Sequence, residues 1–300
     1  MTEVESFRAA LIQTCTSADL ERNLAQVTRQ IHEAADAGAA YIQTPEVTNM
    51  MAHRGAIQLE NCQPDDGANV AVNHFADVAA ECRVWLHIGS IAVRLSDELL
   101  ANRSFLFAPD GQVAARYDKI HMFDVSVDED NRYSESRRYA PGDRAVVVSL
   151  PWISLGLTIC YDMRFPGLYR DLAKAGAQMI AVPSAFTVPT GKAHWHALLR
   201  ARAIEAQSFI LAAAQAGEHE SGRKTYGHSI VISPWGEVLA EADGLNTTVI
   251  YADIRAAEVV AARDRIPSLM NDRPYQVAWA EKLERQRAKL KTEHYDPLST

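Results

Sequence analysis

No two of the 15 glycines stand one residue apart, so the G-x-G-x-x-G fingerprint of a dinucleotide-binding turn is absent. A G-x-S-x-G nucleophile elbow is missing as well. Gly217 to Thr225 (GEHESGRKT) approaches a phosphate loop, but Arg223 intrudes between Gly222 and Lys224 and breaks the pattern. The four cysteines, Cys15, Cys62, Cys82 and Cys160, form no C-x-x-C pair, which argues against zinc ribbons and dithiol redox centres. That scatter, with no segment that reads as a signal peptide, fits a reducing, cytoplasmic setting. Lys and Arg number 30 against 38 Asp and Glu, a net charge of −8 with no basic block, so nucleic acid and anionic lipid are poor partners. Apolar runs such as Phe209 to Ala214 are far too short to cross a bilayer. Small molecules and protein partners remain.

Along the chain, strand and helix alternate. Ser6 to Gln13 is an apolar run of strand length, and Asp19 to Ala37 carries Leu20, Leu24, Val27 and Ile31 at helical spacing behind Ser17, the expected N-cap. A strand over Ala39 to Gln43 ends at Thr44-Pro45-Glu46. A helix over Ala68 to Cys82 leads to a strand over Val84 to Val93, and Pro109-Asp110-Gly111 turns a hairpin between Ser104 to Ala108 and Gln112 to Tyr117. Asp118 to Arg144 lacks apolar periodicity. Strands are expected at Ala145 to Leu150, Ile153 to Ile159, Met179 to Val182, Phe209 to Ala214, Tyr226 to Ile232, Val238 to Ala242 and Thr247 to Ile254. Helices are expected from Pro166 and over Ala193 to Gln207. Hairpins mixed with β-α-β units indicate an α/β fold with parallel and antiparallel pairing. No composition break marks a linker, so one domain is the simplest reading. Ala278 to Lys291 is charged and helical in pattern, outside the strand alternation.

Few residues stand where chemistry needs them. His194 and His196 flank Trp195 on different faces of a helix, with no cysteine nearby, so no metal is expected there. His228 and Ser229 would face opposite sides of a strand, which leaves them packing roles. Cys160 differs, because it closes an apolar run and is followed by Tyr161-Asp162-Met163-Arg164 and a helix opening at Pro166. A thiol at a strand-to-helix corner gains exposure at the sheet end and adjacent backbone N–H groups for a developing oxyanion. Glu46 and Lys119 likewise follow apolar strands. Acid, amine and thiol placed just past strand ends converge if those strands are neighbours.

Thr44-Pro45-Glu46, Lys119-Ile120-His121-Met122-Phe123-Asp124 and Cys160 to Pro166 (CYDMRFP) together resemble the three signature segments of the nitrilase superfamily of carbon–nitrogen hydrolases, in the same order. The resemblance runs through Pro183 to Phe186, Thr190 to Trp195, Arg200 to Gln207, Tyr226 to Ser229 and Pro234-Trp235-Gly236, as far as about Tyr275. These later segments are most similar to the branch containing deaminated-glutathione amidase, with omega-amidase a near relative. Lys192 departs from it, since some members carry Pro in the T-G-x-A-H-W segment. The resemblance implies a four-layer α-β-β-α sandwich over residues 1–275 and a C-terminal tail at 276–300, either a solvated helix or a strap on a partner subunit. It also implies a homodimer or higher homo-oligomer.

By the same resemblance Cys160 is the nucleophile, Glu46 the general base, Lys119 the oxyanion stabiliser and Glu135 a second active-site glutamate. The activity it implies is cofactor-free and metal-free hydrolysis of a small linear amide through a thioester, deaminated glutathione first. Omega-amides and N-carbamoyl amines are the alternatives within the class, and a catalytically silent binding protein of the same fold is the alternative outside it. A substrate carboxylate calls for a cation, for which Arg164 is a candidate, although an ion pair with Asp162 would equally account for it. The Tyr161 N–H is placed as an oxyanion donor, and Phe186, Thr187 and His194 stand ready to shape the pocket.

Overall fold

Side chains on a strand alternate between its two faces, and β1 (Phe7–Gln13) buries both. Phe7, Ala9 and Leu11 join one buried apolar cluster, whereas Ala10 and Ile12 join another. The structure, a computed structural model, describes residues 6–51, 59, 61–126, 132–220 and 222–280. β1 lies inside a six-stranded sheet with β2 (Tyr41–Gln43), β3 (Trp85–Arg94), β4 (Leu100–Phe107), β5 (Val113–Asp118) and, on its other side, β16 (Thr248–Ile254). β1, β2 and β3 run parallel, linked through α1 (Leu20–Asp36) and α2 (Val70–Cys82), and the remaining pairs are antiparallel.

A second six-stranded sheet is ordered β15 (Val238–Glu241), β14 (Ile230–Ile232), β11 (Phe209–Ala212), β10 (Met179–Ala181), β9 (Ser154–Leu157) and β8 (Val146–Ser149). Its parallel strands β9, β10 and β11 are linked through α3 (Pro166–Lys174) and α4 (Val188–Ala206). Two short ribbons, β6 (Asp124–Ser126) with β7 (Arg132–Ser134) and β12 (Ala216–Glu218) with β13 (Lys224–Tyr226), lie outside the sheets, and α5 (Ala256–Arg265) follows β16.

The two clusters define the layers. One joins Val27 and Ile31 of α1 and Phe75 of α2 to Ile12 and Ile42 on the first sheet. The other joins Leu11, Tyr41 and Leu106 of that sheet to Leu155 and Leu157 of the second, and reaches Leu172 of α3 and Leu199 of α4. Helices therefore cover the outer face of each sheet, and the sheets face one another, as the α-β-β-α expectation requires. Each fully buried aliphatic side chain in these layers contributes roughly 1.5–3 kcal/mol.

Several local expectations are corrected. Asp19 caps α1, accepting the Arg22 N–H, while Ser17 Oγ instead bonds Asn23 and receives the Asp19 N–H. The strand expected over Tyr226 to Ile232 is two strands, broken where Gly227 and His228 take φ of +67° and +56°. α4 begins at Val188, ahead of the expected Ala193, because Pro189 fits a first helical turn and Gly191 serves packing: a Cβ there would lie 2.2 Å from Tyr226 Cγ. The stretch from Asp118 to Arg144 holds the β6–β7 ribbon and a 3-10 turn over Glu135–Arg137.

One compact unit ends at Leu269 and a second begins at Met270, of which residues 270–280 are described. The helical pattern at Ala278 to Lys291 falls almost wholly outside the described residues, as does most of the tail from 276. No helix among the described residues is long and apolar enough to cross a membrane.

Candidate active site

Glu46 leaves β2 through Thr44-Pro45, and the chain there is clamped to β3. Thr44 N–H donates to His87 O, Gly89 N–H to Thr44 Oγ1, and Val47 N–H to Ser90 Oγ. Gly89 has to be glycine at this crossing, since a Cβ would lie 2.2 Å from Thr44 O and 2.3 Å from Pro183 Cβ. Lys119 follows β5 directly and donates its backbone N–H to Asn102 O of β4. Cys160 follows β9, with its N–H donating to Pro183 O and its φ at +48°, a left-handed conformation uncommon for a residue with a side chain. Its 3-10 turn, Cys160–Arg164, leads into α3. The ends of β2, β5 and β9, drawn from both sheets, thus meet at one place.

The side chains there form a buried charge network. Lys119 Nζ donates to Glu46 Oε1 at 2.9 Å and to both oxygens of Glu135, at 3.0 and 2.8 Å. Glu46 Oε2 accepts the Ala185 N–H at 2.8 Å. Glu135 is fixed in turn by the Phe123 N–H at 2.7 Å. Glu46 and Lys119 are 4% and 2% exposed, so screening by water is slight and their mutual attraction is strong.

Protonation follows from this burial. Desolvation pushes the Glu46 carboxyl up, but the Lys119 charge and hydrogen bond, the neighbouring Cys160 thiol and the Arg223 charge outweigh it and leave its pKa below the usual carboxylate range. Lys119 loses by desolvation and gains more from Glu135 and Glu46, so its pKa stands well above that of an ordinary lysine. Burial first, then the Glu46 charge, raises the Cys160 thiol, with Lys119 opposing. The resting arrangement is a neutral thiol beside a carboxylate and an ammonium. A thiol, a base able to take its proton and a cation to receive negative charge make up the set needed for acyl transfer.

Of the expected pocket residues, Arg164 stands apart from Asp162. Its guanidinium approaches His194 Nδ1 at 3.3 and 3.4 Å and lies over the rings of Phe186 and Tyr161, at 5.3 and 5.8 Å. Phe186 packs on Trp195, and Thr187 Oγ1 bonds Thr190 Oγ1 at 2.7 Å at the start of α4. Glu46, Lys119, Glu135 and Cys160 thus form one group, and Arg164, Tyr161, Phe186 and His194 a second. Phe186 follows Ala185, which binds Glu46, and Tyr161 follows Cys160.

Three contributors escaped sequence reasoning. Asn102 Nδ2 donates to Glu46 at 2.9 Å and to Glu135 at 3.2 Å, bridging the two carboxylates. Asp162, wholly buried, accepts from Ile159 N–H, Tyr117 OH and His121 N–H, tying the Cys160 turn to the Lys119 segment. Arg223 Nη2 donates to Ala185 O at 2.6 Å, behind the N–H that binds Glu46. The only trace of Arg223 in the sequence was its intrusion into a near-match to a phosphate loop.

This arrangement agrees with the comparisons to known proteins. Residues 8–264 match the carbon-nitrogen hydrolase family, and the chain belongs to that family. It is 38% identical over 273 residues to deaminated glutathione amidase from Yersinia enterocolitica, covering 90% of this chain and 94% of that one. It is 37% identical to omega-amidase NIT2 from Homo sapiens over 263 residues, 87% of this chain and 93% of that one. Among solved structures, the C. elegans NitFhit protein superposes with a TM-score of 0.82 at 32% identity, over 90% of this chain and 65% of that longer one.

Proposed function

We propose that the protein is an amidase in which Cys160 is the nucleophile, Glu46 the general base and acid, Lys119 the oxyanion stabiliser and Glu135 the group that holds Lys119. One observation carries this reading: a single buried carboxylate, Glu46, accepts from the amine of Lys119 and from the Ala185 N–H, two residues past the Pro183 carbonyl that holds the Cys160 turn. Since the thiol is held high and the carboxyl low, the proton leaves sulfur only as the amide carbonyl is attacked. The C–S bond forms as that proton passes to Glu46, and the negative oxygen is met by Lys119 and the Tyr161 N–H. Collapse breaks the C–N bond, and the departing amine takes the proton back from Glu46. Water, deprotonated by the same carboxylate, then hydrolyses the thioester and frees the acid and the thiol.

The relatives' names support an amide of a small dicarboxylic or keto acid, deaminated glutathione first and omega-amides next, with N-carbamoyl amines a further alternative. Arg164, backed by His194, Phe186 and Tyr161, supplies a cation for the substrate carboxylate. We further read the enzyme as a cytoplasmic homodimer or higher homo-oligomer. Ile204 of α4, Trp235 and Val260 of α5 expose apolar side chains suited to a partner subunit.

A panel of these amides, assayed for amine release, tests the reading. Deaminated glutathione is expected to give the highest kcat/KM, and Glu46→Gln to lower turnover of the best substrate by about 10²–10⁴-fold. Near-wild-type turnover by Glu46→Gln would move the base elsewhere, and no release from any amide would overturn the activity.

A further inference from the structure

We propose that His196, His228 and Glu241 form a binding site for a borderline divalent cation such as zinc. The three come from separate elements: His196 from α4, His228 from the turn before β14 and Glu241 from the end of β15. His196 Nε2 lies 2.7 Å from Glu241 Oε1, and His228 Nδ1 lies 2.9 Å from the same oxygen. All three ligand atoms are within 4.8 Å of one another. Two imidazoles and one carboxylate suit zinc and its neighbours, whereas magnesium and calcium prefer oxygen alone.

The direction of His228 is fixed before any ion arrives. Its N–H donates to Asp243 O, its carbonyl accepts from Trp195 Nε1 at 2.9 Å, and its ring lies against Tyr226 with centroids 4.4 Å apart. Behind it stands Gly244, where a Cβ would lie 2.8 Å from His228 Nε2, so Nδ1 is the nitrogen left facing Glu241. The side chains of His196, His228 and Glu241 are 42%, 29% and 31% exposed, so a hydrated ion reaches them and keeps water in its open positions. Tetrahedral zinc at about 2.1 Å from each donor needs them roughly 3.4 Å apart, which opens the two contacts to Glu241 by about 0.5–0.7 Å, within reach of side-chain rotation. Each neutral imidazole then carries its proton on the other ring nitrogen and offers the ion a lone pair. A bound ion would tie α4 to the β14–β15 hairpin. The site does not depend on the chemistry at Cys160.

Zinc titration by calorimetry tests it, using metal-free Cys160→Ala protein so that the buried thiol contributes no ligand. One equivalent is expected to bind with saturation below about 100 µM and to raise the Tm, while magnesium does neither. His196→Ala and Glu241→Gln should each weaken zinc by about 10–100-fold, and His32→Ala, at a half-buried histidine of α1, should leave it unchanged. Cobalt in place of zinc should give visible d–d absorption that both variants lose. No saturation below that concentration, or variants that bind as the parent does, would overturn the proposal.

Discussion

Cys160→Ala protein is expected to fold as the parent does and to hydrolyse the best amide at least about 10⁴-fold more slowly. The substitution removes one sulfur from a buried corner and leaves the backbone hydrogen bond to Pro183 in place. Alanine meets the same left-handed φ of +48° that cysteine already tolerates, so the stability cost should be about 1 kcal/mol. The chemical loss is of another order, because Glu46 and Lys119 then have no nucleophile to serve, and groups acting as a unit fail together. Initial rates alongside a thermal melt separate the two effects. A native melt with a rate within tenfold of the parent would remove the thiol from the reaction.

Lys119→Ala is expected to reduce turnover by roughly 10²-fold or more, as loss of an oxyanion donor does elsewhere. It should also cost about 3–5 kcal/mol of stability, since the Glu46 and Glu135 carboxylates lose the charge buried between them. Lys119→Met, which keeps the stem, gives the rate in a protein better filled at that site. Glu135→Ala should cost less, because Glu46 still holds Nζ at 2.9 Å and the oxyanion donor survives. If Glu135 acts through Lys119, the double variant should be scarcely slower than Lys119→Ala alone. Turnover of the two single variants and the double variant decides the matter. Losses that multiply would give Glu135 its own contact with substrate or water.

The residues that could be read from sequence carry local marks. Glu46 follows a strand closed by Thr44-Pro45, Lys119 follows the hairpin turned at Gly111, and Cys160 stands where an apolar run meets a helix opening at Pro166. Such marks need only neighbouring residues, and they placed the strands of both sheets and α1, α2 and α3 to within a few residues, whereas α4 starts five residues early and α5 was not expected. Asn102 carries none: inside β4 it reads as one more polar strand residue, and its bond to Glu46 spans 56 positions. Asp162 and Arg223 are silent for the same reason, since their partners are set by how strands order themselves in space. His196 and His228 were set aside as metal ligands because adjacency in sequence pairs His196 with His194 and puts His228 on a strand, whereas the fold brings both to Glu241 beyond α4. The break at Gly227 and His228 lay within an apolar pattern that continued on both sides of it.

The central claim, that the acyl group passes through the sulfur of Cys160, is tested most directly by acid quenching during turnover of an activated ester of the preferred acid. Its leaving group departs without a proton, so hydrolysis of the thioester becomes the slow step and the intermediate accumulates. Mass spectrometry of the quenched protein should show one acyl group, on the peptide holding Cys160, that vanishes once the ester is exhausted. Turnover with no adduct, or an adduct on Cys15, Cys62 or Cys82, would contradict it.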